Sequence, residues 1–273
     1  MSAQQDDAAL EPEADIKMTI WEHLQELRGR VVKAAIGVFV GTIVCWYFRV
    51  EILAWLVRPY EKVWIEQKLP GTPELQTLSP ADAFVGYLQI ALVGGIILGI
   101  PIIFWQLWSF VSPGLYAREK KFILPFVVFS TGLFLSGVAF AYYAMFPAMF
   151  RFFFSQLGPV GGAGMALTQR PTLEYFLDFT TRALLVFGAV FELPLLIFFL
   201  SLAGIVSPMQ LVRFGRWAVL LSFVVGALAT PGPEIMSQIL LSGALIALYF
   251  VSVGVAFLVG NRKKEKPEAE ADE

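Results

Sequence analysis

The side chains able to do chemistry are few, and most are carboxylates set beside basic residues. In TIWEHLQELRGR, Thr19 to Arg30, residues Ile20, Leu24, Leu27 and Val31 fall on one helical face. Glu22, Glu26, Arg30 and Lys33 fall on the other. Glu26 and Arg30 are four apart, where opposite charges meet on a helix and stabilise it by about 0.2–0.5 kcal/mol. The plain account is a solvated interfacial face. The sharper one is a carboxylate offered to a basic ligand at a membrane surface. In SPGLYAREKK, Ser112 to Lys121, Pro113 and Gly114 make a turn and Glu119 sits among Arg118, Lys120 and Lys121. Local charge balance would account for that cluster too. Asp178, Arg182 and Glu192 lie within an apolar run.

These residues build no recognisable catalytic centre. The only histidine is His23 and the only cysteine is Cys45, which leaves too few ligands for a structural zinc site. A serine hydrolase needs a base, and His23 lies in the interfacial segment. Asp178 and Glu192 share one helix about 20 Å apart at 1.5 Å per residue, too far for a carboxylate dyad. No glycine-rich phosphate loop followed by lysine is present, and no cofactor is expected. The net charge of -2 provides no electrostatic footprint for nucleic acid.

Lipid is the solvent that the composition fits. Hydrophobic residues make up 57% of the chain and charged residues 15%, against roughly 25% charged in a soluble domain. A span needs about 20 apolar residues. Candidates are Val31 to Phe48, Phe84 to Val111, Phe122 to Phe150 and Tyr175 to Ala203. The apolar stretch from Trp217 to Gly260 is cut at TPGPE, because two prolines and a glycine cannot continue a helix. That gives Trp217 to Ala229 and Ile235 to Gly260, a short last hairpin whose fifth span needs help from Arg213 to Arg216. The expected fold is an all-α polytopic membrane protein of six helices, with an interfacial N-terminal helix opened by a Thr19–Glu22 capping box.

Most of the 20 basic residues fall in the loops and ends that share a side with the N-terminus. By the positive-inside rule both ends are then cytoplasmic, which requires an even number of spans. Residues 1–15 and 261–273 are expected to be disordered polar tails around a membrane domain of residues 16–260. The acidic N-terminus does not read as a signal peptide. In the first outside loop, Ile52, Leu53, Leu56 and Val57 are spaced for an amphipathic turn or two, at the interface with Trp55 and Trp64.

Glu192, in FGAVFELP, lies deepest of the charged groups. A lone carboxylate at that depth costs several kcal/mol, so it should face protein or a water-filled groove. It is either a functional group or a protonated carboxyl bonded to a neighbouring helix. Asp178 and Arg182 are spaced to pair. Pro194 should free a backbone carbonyl nearby. Two short bilayer-limited spans at the end would thin the membrane locally.

Four segments in this order resemble the TatC family, the receptor subunit of the twin-arginine protein translocase. They are HLQELRGR, SPGLY with REKK, FGAVFELP and ATPGPEIMSQ, and the resemblance runs from about Met18 to Gly260. It implies a non-enzymatic protein of the bacterial inner membrane that binds twin-arginine signal peptides of folded cargo at the cytoplasmic face. It also implies TatA- and TatB-type single-span partners, a homo-oligomer within the receptor complex, and transport driven by the proton-motive force. By this resemblance Glu26 and Glu119 take the paired arginines, with Arg28, His23, Lys120 and Phe110 around them. Glu192 matches an intramembrane glutamate, and Pro59 and Pro113 match structural prolines. Thr230, Gln238 and Glu234 match positions where a partner helix docks. Here Gly232 is interposed and Glu234 takes the place where the family often has aspartate. The alternative function is a proton-coupled secondary transporter using Glu192. An intramembrane hydrolase, the third class, lacks a nucleophile–base pair.

Overall fold

A computed structural model describes residues 20–111, 123–160, 165–167, 170–202, 204–229 and 235–269. Six helical segments are long and apolar enough to cross a membrane: Trp21–Tyr47, Asp82–Phe110, Leu124–Ser155, Leu173–Leu202, Pro208–Leu228 and Gln238–Leu258.

The first helix, α1 (Ile20–Tyr47), is continuous. The expected interfacial helix is therefore the lower part of the first span, because nothing between Arg30 and Val31 breaks the backbone. It packs along α3 (Asp82–Val111) through small residues. A Cβ added at Gly95 would lie 2.5 Å from the Thr42 backbone nitrogen, and one at Gly41 would lie 2.7 Å from the Gly95 carbonyl oxygen. Helices in lipid gain little from apolar burial and associate through such close backbone contact.

Between them, α2 (Arg49–Glu66) is a full 18-residue helix, longer than the turn or two expected. It buries Leu56, Pro59, Tyr60, Val63 and Trp64 and packs on α5 (Phe146–Ser155). Tyr60 meets Phe150, Phe154 and Phe176 edge-on. An aromatic cluster of this kind explains why α2 is more than a surface helix. Pro59 has no N–H for the Trp55 carbonyl one turn back. The Tyr142 hydroxyl donates to that carbonyl at 2.7 Å, and the two rings stack with centroids 3.8 Å apart.

The third span is α4 (Ile123–Phe140), a π-turn (Ala141–Met145) and α5 in sequence. Pro147 lacks the N–H owed to Tyr143, and the register slips just before it, with Phe146 bonding back to Ala141. A two-stranded antiparallel hairpin follows, β1 (Gly158–Val160) with β2 (Met165–Leu167). It is a small exception to an all-helical chain. Arg151 pairs with Glu66 at 3.0 Å and joins this region to α2.

The fourth span is α6 (Leu173–Val190) and α7 (Leu193–Leu202), broken at Phe191 and Glu192. The expected irregularity at Pro194 is thus a full break. Gly137 of α4 lies against the Phe187 carbonyl of α6, where an added Cβ would have no room.

The fifth span differs from expectation. Helix α8 (Pro208–Ala229) starts nine residues before Trp217. Ser207 and Gln210 form a reciprocal cap, with Gln210 N–H to Ser207 Oγ at 3.3 Å and Ser207 N–H to Gln210 Oε1 at 2.8 Å. Pro208 suits the first helical position. The last two spans remain the shortest, at 21 residues each, but that is about 32 Å of helix, enough for a hydrocarbon core of about 30 Å. Local thinning is not required. The last helix, α9 (Ile235–Ala269), runs beyond Gly260 into the segment expected as a tail. The expected N-terminal tail, 1–15, lies outside the described residues.

Candidate functional site

At the end where α1 begins, α1 and α3 bring three of the expected site residues together. Arg30 donates from Nε at 2.9 Å and from a terminal nitrogen at 2.5 Å, both to Oε1 of Glu26. Oε2 of Glu26 is buried and has no hydrogen-bond partner among the described residues. His23 Nδ1 stands 3.8 Å from it, beyond hydrogen-bond length. The His23 ring lies flat on Phe110 of α3, with centroids 4.3 Å apart and planes 16° from parallel. The close α1–α3 packing fixes this juxtaposition. Arg28 is exposed on the same helix. Glu119, Lys120 and Pro113, expected beside this cluster, lie outside the described residues.

The chemistry available here is recognition. Glu26 already binds one guanidinium, and it retains an acceptor oxygen. No group of three or more His, Cys, Asp or Glu could hold a metal among the described residues. His23, the only histidine, is stacked on Phe110 and faces no nucleophile among the contacts described.

Glu192 is placed apart from this cluster, at the α6–α7 break. It lines a cavity of about 390 Å³ with Phe104, Trp108, Ser130 and Phe199. Its carboxyl interacts with the Ser130 side chain and the Phe134 backbone, and Oε1 has no hydrogen-bond partner among the described residues. Trp108 Nε1 donates to Ser130 Oγ at 3.0 Å. Sequence reasoning singled out Glu192 but missed Trp108 and Ser130. No spacing signal joins them, since they sit on separate helices. Asp178 and Arg182 pair as expected, at 2.6 Å.

At the opposite end, Gln238 of α9 donates to the Phe223 carbonyl of α8 at 3.0 Å. One turn on, Ser242 Oγ donates to the Ser222 carbonyl at 3.1 Å. Gln238 thus joins the last two spans to each other. Thr230 and Glu234 lie outside the described residues. Pro59 is buried in α2.

Comparison with known proteins gives a consistent match. Residues 22–260 match the family described as Sec-independent protein translocase protein (TatC). A Sec-independent protein translocase protein TatC of Koribacter versatilis is 35% identical over 268 residues, covering 97% of this chain and 96% of that protein. The Aquifex aeolicus protein of the same name is 31% identical over 252 residues, covering 92% of this chain and all of its own. A solved structure described as the twin-arginine translocase receptor TatC superposes with a TM-score of 0.76 at 30% identity, covering 87% of this chain and 99% of that one. These matches point to a component of protein transport, and they leave the solute-transporter and hydrolase readings without support. The chain belongs to the TatC family.

Proposed function

We propose that this chain is the receptor that binds twin-arginine signal peptides of folded cargo, at the face where both its ends lie. The observation that carries this reading is the Glu26 carboxylate, with one oxygen holding an arginine side chain and the other without a hydrogen-bond partner among the described residues. Arginine is always charged, and its planar fork pairs with carboxylates in a geometry that lysine does not reproduce. Glu119, on the loop between α3 and α4, is the second carboxylate of the pair, one for each arginine. Arg28 and Lys120 deter unrelated cations.

In this reading the membrane is the bacterial inner membrane and the binding face is cytoplasmic. The placement of most Lys and Arg residues on that side supports it. TatA- and TatB-type single-span subunits dock near Thr230, Gln238 and Glu234, several copies of the chain assemble in the receptor complex, and the proton-motive force drives transport. Glu192, in its cavity, is the intramembrane polar group available to such partners.

The test is export of a twin-arginine cargo in cells that carry Glu26→Lys or Glu119→Lys as the sole copy. Both variants should insert normally and lose export. Normal export in both would overturn the assignment of these two carboxylates.

A further inference from the structure

We propose that Arg49, at the end of α1 away from Glu26, binds the phosphate of a membrane phospholipid and ties the corner between α1 and α2 to that leaflet. The proposal concerns the opposite end of the first span from the peptide-binding reading and does not rest on it.

Arg49 opens α2, just after α1 ends at Tyr47. Its guanidinium carbon lies 5.0 Å from the centre of the Trp46 ring and 5.6 Å from that of Tyr87 on α3. Both distances are within the range of a cation–π contact. One terminal nitrogen donates to the Trp46 carbonyl at 3.0 Å. Trp46 in turn meets Phe84 of α3 edge-on, with ring centres 5.7 Å apart. The guanidinium is thus fixed against two helices, where a free arginine would swing on its stem. Yet no carboxylate neutralises it. Arg49 and Glu51 form no ion pair among the described residues. Asp82, at the start of α3, is occupied by the Leu78 and Ser79 N–H groups, both at 2.8 Å. A guanidinium presents several N–H donors in a planar fork, and the Trp46 carbonyl engages one of them.

The setting is the level of lipid headgroups. Arg49 follows directly on the first span, Trp21–Tyr47, and Tyr87 lies in the first turns of the second, Asp82–Phe110. Tryptophan and tyrosine gather at that level in membrane proteins. Ile43 and Tyr47 of α1 and Phe84 and Leu88 of α3 are exposed, and they offer apolar surface to acyl tails. A fixed positive fork there meets phosphodiester groups, with which arginine pairs bidentately. The apolar flanks favour a phosphate that carries tails over free inorganic phosphate.

The experiment is native mass spectrometry of the full-length chain, stripped of lipid in detergent and titrated with phosphatidylglycerol. The unaltered chain should bind one phosphatidylglycerol more tightly than the rest, and diacylglycerol with the same tails should not take that place. Arg49→Gln should weaken this step roughly ten- to a hundredfold, the range for hydrogen bonds to a charged group. Arg49→Lys, which keeps the charge without the fork, should fall in between. Trp46→Leu, which keeps the guanidinium without its ring, should weaken it roughly two- to fivefold. Arg58→Gln, at an exposed arginine of the same helix, should leave it unchanged. Full affinity in Arg49→Gln or Arg49→Lys, an equal loss in Arg58→Gln, or displacement of the lipid by millimolar inorganic phosphate would overturn the proposal.

Discussion

Arg30 donates twice to one oxygen of Glu26 and leaves the other with no hydrogen bond among the described residues. The two residues share one helix, so the pair needs no tertiary contact to form. Beside the second oxygen stands His23, one turn earlier on α1, and its ring in turn lies on Phe110 of α3.

Arg30→Gln should therefore change stability little. An i,i+4 pair with both side chains partly exposed contributes about 0.3–0.5 kcal/mol. Thermal unfolding in detergent should shift slightly, while affinity for an Arg-Arg peptide falls as Glu26 loses its anchor. A large loss of thermal stability would show that the pair is structural first.

Gly95→Ala should weaken the α1–α3 contact. The added Cβ would lie 2.5 Å from the Thr42 backbone nitrogen, which cannot rotate away. Overpacking of this kind costs about 1–3 kcal/mol. Thermal unfolding reads the loss, and a cross-link between cysteines placed at His23 and Phe110 should form less readily in the same variant. Undiminished cross-linking would show that the juxtaposition does not depend on this contact.

Tyr142 and Pro59 should be energetically coupled. Tyr142→Phe removes the donor to the Trp55 carbonyl, at a cost of about 1 kcal/mol or more for a polar group left unpaired. Pro59→Ala supplies a backbone N–H that can take the same carbonyl. In that background Tyr142→Phe should cost clearly less, and a double-mutant cycle on unfolding free energies measures the difference. Strict additivity would separate the two residues.

Tyr60 sets a pH limit on the α2 packing. Burial pushes its hydroxyl up to about 12 from its ordinary value of 10, and that hydroxyl has no hydrogen-bond partner among the described residues. A phenol whose folded pKa is raised contributes stability below its unfolded pKa, and that contribution is lost as pH rises from about 10 to about 12. Unfolding measured across that window should show the decline. In Tyr60→Phe it should be smaller, with stability at neutral pH unchanged or improved. An equal decline in both proteins would assign it to other groups.

Much of this architecture was legible in the chain because lipid leaves so little freedom. Apolar runs of sufficient length marked the first four spans, the TPGPE break divided the last two, and the spacing of Glu26 and Arg30 announced their pair. The start of α8 was missed although a local signal was present. Ser-Pro-Met-Gln at 207–210 carries the capping signal, yet Arg213 and Arg216 hid it by lowering the apolar count of the first turns. The break at Glu192 followed from Pro194. Other features were hidden because they depend on distant helices meeting. Nothing local to Phe110 predicts His23 on its face, and nothing near Pro59 predicts that a tyrosine 83 positions later supplies the missing donor. The α2 helix was underestimated for the same reason, since its buried face is defined by α5 and α6.

Site-specific photo-crosslinking tests the receptor reading most directly. A photoreactive side chain replaces Leu27, which is exposed one residue from Glu26, or Ile239, which is exposed at the opposite end of the molecule. Membranes with either variant are irradiated with a labelled Arg-Arg signal peptide. The account predicts a peptide adduct at position 27 that disappears with a Lys-Lys peptide or with Glu26→Lys, and none at position 239. Equal adducts with Arg-Arg and Lys-Lys peptides at position 27, or an adduct confined to position 239, would contradict it.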